Sequence, residues 1–422
     1  MYNQFNLPII APLGDPHLKN GYYIFDNKIY VNRDYIAEDI LASNDFTKPN
    51  PTFWFHDEYF SHLNWQIEPL EDVYELYKLR ALQLRDKYKY LILSLSGGID
   101  SQVILETFLK NNIFIDEIQI VTWQKLLNKI DRTELINDPD CKTLLEYELN
   151  AAPWLKVVKD KSPNTKITVL DSSDFLVDDV LSGRFDSLSM HNNLGHYRGL
   201  YILNPRSFIL LQSKEMDNTI TRDSVGFVLG IEKPLVDTDG IGNNLYFSFS
   251  DAGLNFDKVL NNKICDPTFT VENFYWSVDA PKIVIKQAHM VKHALENDRS
   301  FFNTYMKHKA KFRHAFRRKG PEQVVGQVNH PWNSFEEHLA KIIYPRSTLN
   351  FLSGKPPLGG FEYPLLTKYH GEQFSQRIVA AKQEALDFRI KRYEKLGPAY
   401  TSKLVLSKKY EFGTLNPIWQ KL

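Results

Sequence analysis

Cysteine is scarce in this 422-residue chain, which contains only Cys141 and Cys265. Two isolated cysteines exclude a disulfide-rich scaffold and any metal knuckle built from CxxC pairs. Their scarcity favours a reducing compartment, and we therefore expect a cytoplasmic protein. A glutaminase domain with an N-terminal nucleophile needs cysteine directly after Met1, where this chain has Tyr2. We therefore expect no built-in glutaminase.

Long apolar runs and an excess of either charge are also missing. No stretch approaches the ~18–20 consecutive apolar residues of a membrane-spanning helix. The N-terminal residues show no basic region followed by an apolar one, so we expect no secretory signal. Lys plus Arg and Asp plus Glu number 51 each, which makes the formal net charge +0. The whole chain thus has no overall basic field for nucleic acid.

Hydrophobic and aromatic residues are ample, at 43% and 13% of the chain. Such a composition is typical of a globular protein with large cores. A single core rarely grows past about 250–300 residues, so the length predicts more than one domain. We expect a cap at residues 1–65, an α/β domain at 66–260 and a mainly helical region at 261–422.

Helical patterns alternate with short apolar runs from about residue 70 onward. Apolar residues spaced by three and four predict helices at 70–87, 102–110 and 138–160. Apolar runs predict buried strands at 90–95, 118–122 and 225–229, and residues 166–170 predict a further strand. Alternation of strand and helix predicts an α/β fold with a parallel sheet.

Three other segments have weaker patterns. Residues 22–25 and 28–31 flank Asp26 and Asn27, which predicts a β-hairpin with a tight turn. The aromatic-rich residues 50–65 predict an irregular segment that packs against a neighbouring domain. The alternating residues 244–250 predict an edge strand.

The strongest chemical signal is the run Ser96-Gly97-Gly98-Ile99-Asp100-Ser101, between a predicted strand and a predicted helix. Glycines at such a turn let the backbone approach an anion closely and adopt positive φ. The helix N-terminus adds unpaired N–H groups and a partial positive charge, and the serines add hydroxyl donors. The run therefore predicts a phosphate-binding loop. The structural alternative is a helix capped by Ser or Asp after a glycine turn.

Charged residues near this loop have predicted roles of their own. A carboxylate beside a polyanion is repelled unless it holds a cation, so Asp100 is a candidate Mg²⁺ ligand, directly or through water. The loop has no lysine, and Lys233, in the run GIEKP after the strand 225–229, is the candidate cation for the phosphates. An exposed loop lysine is the alternative for Lys233. Lys286 and Lys355 are reserves.

The pattern S-x-G-G-x-D-S resembles the PP-loop of the N-type ATP pyrophosphatases. That family includes asparagine synthetase, argininosuccinate synthetase, GMP and NAD synthetases, and tRNA thiolases. The resemblance is specific over residues 88–125 and extends to about residue 260. The same stretch also resembles PP-loop proteins carried by large bacteriophages. The resemblance implies a five-stranded, Rossmann-like parallel sheet of the adenine nucleotide α-hydrolase (HUP) type, with ATP at the C-terminal ends of its strands.

The resemblance also implies a reaction, with ATP and Mg²⁺ as cofactors. A substrate attacks the α-phosphate to give an adenylate and pyrophosphate, and an amine, ammonia or sulfur donor then displaces AMP. The adenine subsite is implied at the end of the second strand, where Trp123 either stacks on the base or packs in the core. The implied catalytic residues are Asp100, Ser101 and Lys233. The implied ATP-binding residues are Ser94, Ser96, Gly97, Gly98, Ile99, Asp100, Ser101, Val121 and Thr122.

Three functions are compatible with the motif. The first is an AMP-forming ligase, amidotransferase-like in its chemistry, that adenylates an acceptor and joins nitrogen to it. The run GIEKP departs from the acidic glycine loop of asparagine synthetases, which argues against asparagine as the product. The second is sulfur transfer or phosphoadenylylsulfate reduction, for which two isolated cysteines are a poor fit. The third is a regulatory nucleotide-binding module, against which the intact motif argues. The acceptor is open: an amino acid, a nucleotide, tRNA or DNA.

Two further patterns allow a functional and a structural interpretation. His289 and His293 lie four apart on a predicted helix, but no third ligand is near them in sequence, which favours an ordinary helix over zinc. Residues 307–319 contain seven Lys or Arg and two Phe. They predict either a nucleic-acid-binding face or an amphipathic helix, and the neutral whole-chain charge favours the helix.

Overall fold

In the computed structural model of this chain, the described residues are 8–10, 18–30, 33–47, 51–122, 124–128, 131, 133, 147–171, 224–230, 234–239, 243–251, 270–306, 332–345, 371–373, 376–377, 380 and 406–418. Among them, no helix is both long enough and apolar enough to cross a membrane. The predicted basic stretch 307–319, both cysteines, Trp123, Lys233 and Lys355 lie outside these residues.

The described residues include twelve short strands and eight α-helices. The strands are β1 (Ile9–Ile10), β2 (Tyr22–Phe25), β3 (Lys28–Tyr30), β4 (Thr52–Trp54), β5 (Tyr90–Ser94), β6 (Glu117–Thr122), β7 (Lys166–Asp171), β8 (Val225–Leu229), β9 (Leu235–Thr238), β10 (Asn244–Ser248), β11 (Thr270–Asn273) and β12 (Tyr410–Thr414). The helices are α1 (Arg33–Ser43), α2 (Asp57–Ser61), α3 (Val73–Lys87), α4 (Ile99–Lys110), α5 (Gln124–Leu127), α6 (Ala152–Lys161), α7 (Pro281–Asn297) and α8 (Trp332–Ile343).

A five-stranded parallel sheet forms the centre of the molecule, in the order β11-β8-β5-β6-β7. The four predicted strands are β5 to β8, which confirms the α/β class with a parallel, Rossmann-like sheet; β7 is an outer strand, and its Val169 is exposed. β5 is the middle strand, and its Leu91, Ile92 and Leu93 are buried on both faces, as its sequence requires. The fifth strand, β11, follows residue 260 in the chain, and the predicted division into three domains stays a prediction.

Helices α3 and α4 pack against each other, and α3 also contacts α7. Residues 101–108 of α4 are all buried, the polar ones included, so this helix is covered on several sides. Its Val103, Ile104 and Phe108 belong to the same core as Leu91 and Leu93 of β5. The core therefore holds the N-terminus of α4 firmly at the end of β5.

The N-terminal residues form a separate four-stranded sheet in the order β1-β3-β2-β4. Its β2 and β3 are antiparallel, and Phe25 pairs with Lys28 across Asp26 and Asn27. Both turn residues have positive φ, 47° and 55°, which is the geometry of a type I′ turn. The predicted hairpin is confirmed.

A second small sheet joins distant parts of the chain in the order β12-β10-β9. β10 pairs antiparallel with both β9 and β12, so it is the middle strand of this sheet. The prediction of an edge strand at 244–250 is therefore wrong. An alternating pattern indicates that one face of a strand is buried, but it does not indicate how many strands lie beside it. The neighbour that covers β10 on one side is β12, which begins at Tyr410.

The aromatic segment 50–65 is ordered into β4 and α2 and packs on this small sheet. The Phe55 and Phe249 rings lie 4.3 Å apart between centroids. The Trp65 ring stacks on Tyr410 at 4.8 Å with an interplanar angle of 11°. Large aromatic rings bury enough apolar surface to hold such short strands together. The packing role predicted for this segment is thus observed, although residues 52–54 and 57–61 are regular where the whole segment was expected to be irregular.

A buried ionic cluster ties the N-terminal region to the outer strand β11. The Glu272 carboxylate, fully buried, accepts a hydrogen bond at 2.9 Å from Arg80 Nη2 of α3. Lys19 and the Tyr88 hydroxyl also donate to it. Burial alone would raise the pKa of Glu272, but the charges of Lys19 and Arg80 and these hydrogen bonds lower it to about 2. Glu272 therefore stays ionised and paired at neutral pH.

Candidate phosphate-binding site

The S-x-G-G-x-D-S run forms the turn between the middle strand of the sheet and α4. Ser94 ends β5, and Gly98 precedes the first residue of α4 with an extended backbone. Gly97 has φ of 86°, a conformation that costs a side-chain-bearing residue free energy and costs glycine little. The predicted strand–loop–helix arrangement is present, with glycine where positive φ is needed.

The loop is held in shape by its own serines. Ser101 is buried, and its hydroxyl donates to the Gly98 carbonyl oxygen at 3.0 Å and accepts from the Ser96 N–H at 3.2 Å. The Gly98 N–H donates to Ser96 Oγ at 3.2 Å. The Ser96 and Ser101 hydroxyl oxygens also lie 3.2 Å apart, and because Ser101 donates to Gly98, Ser96 is the donor in this contact. Both hydroxyls therefore organise the loop. Only Ser96 is solvent-exposed, so it is the one that could turn from Ser101 to donate to a ligand.

Gln102 supports the loop from the inside of the protein, a role that the motif did not predict. Its side-chain amide N–H donates to the Gly97 carbonyl oxygen, and its amide oxygen accepts from Trp154 Nε1 at 3.0 Å. Gln102 is buried, and a buried side-chain amide needs such partners. The signal available in the sequence was a polar residue directly after the motif, at the start of the run QVILETFLK.

Asp100 is held by two tyrosines that no sequence argument connected to it. The Tyr275 hydroxyl donates to the Asp100 carbonyl oxygen at 2.7 Å. The Tyr344 hydroxyl donates to the Asp100 carboxylate oxygen Oδ1, also at 2.7 Å. Burial raises the pKa of both tyrosines well above the ordinary value, so both hydroxyls stay protonated and able to donate. The proposed metal ligand therefore has a fixed main chain and a side chain with an oriented partner.

Gly230, at the end of β8, lies against the same turn. A Cβ atom built on Gly230 would be 3.0 Å from the Asp100 carbonyl carbon and 3.0 Å from the Ser101 nitrogen. Only glycine allows the end of β8 to approach the start of α4 this closely. The beginning of the run GIEKP is thus beside the loop, as expected. Lys233 itself lies outside the described residues, and its role stays a prediction.

The order of the strands places this turn at a reversal of the sheet. From β5 the chain proceeds to β6 and β7 on one side, and then returns to β8 and β11 on the other. The chain segments that follow the neighbouring strands β5 and β8 therefore lead away from each other. In open α/β sheets, ligands bind in the crevice outside the carboxyl ends of the strands at such a reversal.

Two polar atoms without a partner lie just past this crevice, at the end of β6. Thr122 is buried, and its hydroxyl has no hydrogen-bond partner in the described part of the chain. The same is true of the side-chain amide nitrogen of Gln124, the first residue of α5. Val121 contributes backbone to β6. A buried donor is costly to leave unpaired, so these atoms suit a polar ligand at the place predicted for the nucleotide base.

The remaining candidates have ordinary structural partners. His289 is buried, and its Nε2 donates to the Trp65 carbonyl oxygen at 2.9 Å, while burial lowers its pKa. His293 Nε2 contacts Glu68 Oε2 at 2.7 Å, and Lys286 contacts the other oxygen of Glu68 at 2.7 Å. Across the described residues, no group of three or more His, Cys, Asp or Glu is arranged to hold a metal. The helical interpretation of the histidine pair is therefore the better one.

Comparisons of this chain with protein-family models, with curated proteins and with solved structures find no match.

Proposed function

We propose that this chain is an ATP pyrophosphatase of the PP-loop type, which cleaves ATP into AMP and pyrophosphate and activates an acceptor as its adenylate. The observation that carries the proposal is the Ser96–Ser101 turn at the C-terminal end of the middle strand, with Gly97 at φ 86° and Ser96 exposed. Anion binding is the chemistry to which a glycine turn at a helix N-terminus is suited. The Rossmann-like order of the sheet supports it.

Each part of ATP has matching groups in the described residues. The first-turn N–H groups of α4 and the Ser96 hydroxyl would bind phosphate oxygens, because helix N–H groups there have no acceptor within the helix. The hydroxyl of Thr122 and the amide of Gln124 would pair with polar atoms of the nucleoside. Gly230 lets the end of β8 lie directly against the start of α4, which holds this side of the loop in place. The residues present therefore fit the nucleotide.

Asp100 is the residue that would hold Mg²⁺, and it would do so beside the phosphates. A bound Mg²⁺ would supply charge neutralisation for the phosphate groups during cleavage. Asp100, which Tyr275 and Tyr344 orient, would hold its carboxylate at a constant position. Lys233 is proposed as the cation that meets the charge on departing pyrophosphate. Nitrogen transfer to the acceptor is the proposed second step, and sulfur transfer is the alternative.

The decisive experiment is product analysis with Mg²⁺-ATP and pools of acceptors. The pools are amino acids with ammonium, nucleotides, tRNA and DNA, and nucleotides are separated by ion-exchange chromatography. We expect AMP and pyrophosphate in equal amounts with the correct pool. ADP and inorganic phosphate as the stoichiometric products would exclude this class. The modified acceptor then distinguishes a new C–N bond from a thiolated product.

Variants of the loop test whether the turnover belongs to this site. Ser96→Ala should lower the rate about 10²–10³-fold, as loss of one positioned donor does elsewhere. Ser43→Ala is the control, because Ser43 is also exposed but lies outside the site, where its hydroxyl donates to the Ile40 carbonyl oxygen at 3.1 Å. Equal rates for both variants would contradict the role given to Ser96.

A further inference from the structure

Asp100 is fixed by residues that come from the far end of the chain. Tyr275 and Tyr344 are 175 and 244 residues away in sequence. One hydroxyl binds the main-chain oxygen of Asp100 and the other binds its carboxylate. Two directional bonds on one residue determine both where its backbone lies and how its side chain is turned.

The two tyrosines are themselves locked in place. Both rings are buried, with centroids 5.6 Å apart. A third buried ring, Tyr77 of α3, packs edge-on against Tyr275 at 5.5 Å, and its hydroxyl donates to the Ile343 carbonyl oxygen at 3.2 Å. Gln287 of α7 donates to the Tyr77 hydroxyl at 2.9 Å. Tyr344 is therefore packed against two buried rings, Tyr275 and Tyr77, and the Tyr77 hydroxyl is itself bound by α7 and by the end of α8.

We propose that Tyr344 is a positioning residue for the metal site: its hydroxyl holds the Asp100 carboxylate in the orientation that binds the Mg²⁺ of the nucleotide. The proposal rests on the proposed function. A carboxylate oxygen has two lone pairs, so Oδ1 can accept from Tyr344 and the group can still bind a cation. Partners that hydrogen-bond a ligating carboxylate orient it, and losing one typically costs 10–100-fold in metal affinity or activity.

The test compares tyrosine-to-phenylalanine variants that each remove one hydroxyl and keep the ring. Tyr344→Phe removes the bond to the Asp100 carboxylate. Tyr410→Phe is the matched control, because the Tyr410 hydroxyl donates to an aspartate carboxylate, Asp57 Oδ1, at the same 2.7 Å, but in the small antiparallel sheet. A comparable loss of stability is expected in both variants, and a loss of metal affinity only in the first.

The readout is Mn²⁺ binding, measured by electron paramagnetic resonance in the presence of α,β-methylene-ATP, with the full chain. We expect Tyr344→Phe to weaken Mn²⁺ binding 10–100-fold and Tyr410→Phe to leave it unchanged. Binding of the nucleotide without metal should be the same in all three proteins. If Tyr344→Phe unfolds, 4-aminophenylalanine at position 344 is the second variant. It restores a donor and should keep Mn²⁺ affinity close to that of the unmodified chain.

The outcomes separate this proposal from the proposed function. If Asp100→Asn loses Mn²⁺ affinity and Tyr344→Phe does not, Tyr344 is only a packing residue and the proposal is overturned. The proposal is equally overturned if Tyr410→Phe weakens Mn²⁺ binding as much as Tyr344→Phe. If the unmodified chain binds neither nucleotide nor Mn²⁺-nucleotide, the proposed function fails, and the positioning role with it.

Discussion

Replacing Gly97 with alanine tests whether the shape of the loop is what binds nucleotide. Gly97 has φ of 86°, a conformation that costs an L-residue about 1–2 kcal/mol. The variant loop can relieve this strain by moving to negative φ, which makes the binding conformation the minor one. Apparent affinity falls with the population of the competent state. A cost of about 1–2 kcal/mol corresponds to roughly 5–30-fold weaker ATP binding.

Gly371→Ala is the matched control for backbone strain. Gly371 has φ of 84°, and nothing lies within 4 Å of a Cβ built there. Alanine also lowers the entropy of the unfolded chain, which stabilises by about 0.4–1 kcal/mol and offsets part of the strain. Both variants should therefore lose no more than about 1.5 kcal/mol of unfolding free energy. Asparagine tolerates positive φ better than alanine, so Gly97→Asn should bind ATP with intermediate affinity.

The assays are calorimetric titration with ATP and with pyrophosphate, and urea unfolding for stability. The expected result is a loss of affinity for both ligands in Gly97→Ala and none in Gly371→Ala. If Gly97→Ala binds ATP as tightly as the unmodified chain while its stability falls like that of Gly371→Ala, the loop conformation is not required for binding. The phosphate-binding interpretation would then be wrong.

Three other changes have outcomes that follow from single contacts. Gln102→Ala leaves the Gly97 carbonyl and Trp154 Nε1 without a partner, so urea unfolding should show a loss of about 1–3 kcal/mol; an unchanged midpoint would contradict this support. Gly230→Ala should push the end of β8 away from α4 and weaken pyrophosphate binding in calorimetry. If the variant binds pyrophosphate as tightly as the unmodified chain, the close contact between β8 and α4 is not needed for binding. Glu272→Gln removes the buried carboxylate that Arg80 and Lys19 share and should cost about 3–5 kcal/mol, with Asp279 left as their remaining partner at 3.8 Å and 3.5 Å. Because the pKa of Glu272 is lowered from 4.5 to about 2, its stabilisation is fully present above pH 4.5 and should disappear as the pH falls through 2, with no such loss in Glu272→Gln.

Sequence patterns predicted the parallel sheet because the burial of a strand can be inferred from its own residues. Strands β5 and β8 are short apolar runs, as strands covered on both faces must be. Turn residues such as Asp26 and Asn27 indicate their own backbone conformation. The same holds for the S-x-G-G-x-D-S run. Its glycines and serines make their contacts within six residues, so the motif contains nearly all the information that shapes the loop.

Contacts between distant parts of the chain have no such local sequence pattern. Alternation at 244–248 could not reveal that β12 lies beside β10, because a strand's burial pattern does not identify its neighbour. Glu272 and Arg80 lie 192 residues apart, and no sequence pattern pairs them. Only the fold brings them together in the interior of the protein.

The motif by itself therefore determined which residues form the loop and which chemistry suits it. Only the tertiary structure decided that Gly230 closes one side of the loop and that Tyr344 orients Asp100. The physical reason is that conformational preference is local, whereas the partner of a buried polar group is whatever the packed core places within about 3 Å of it.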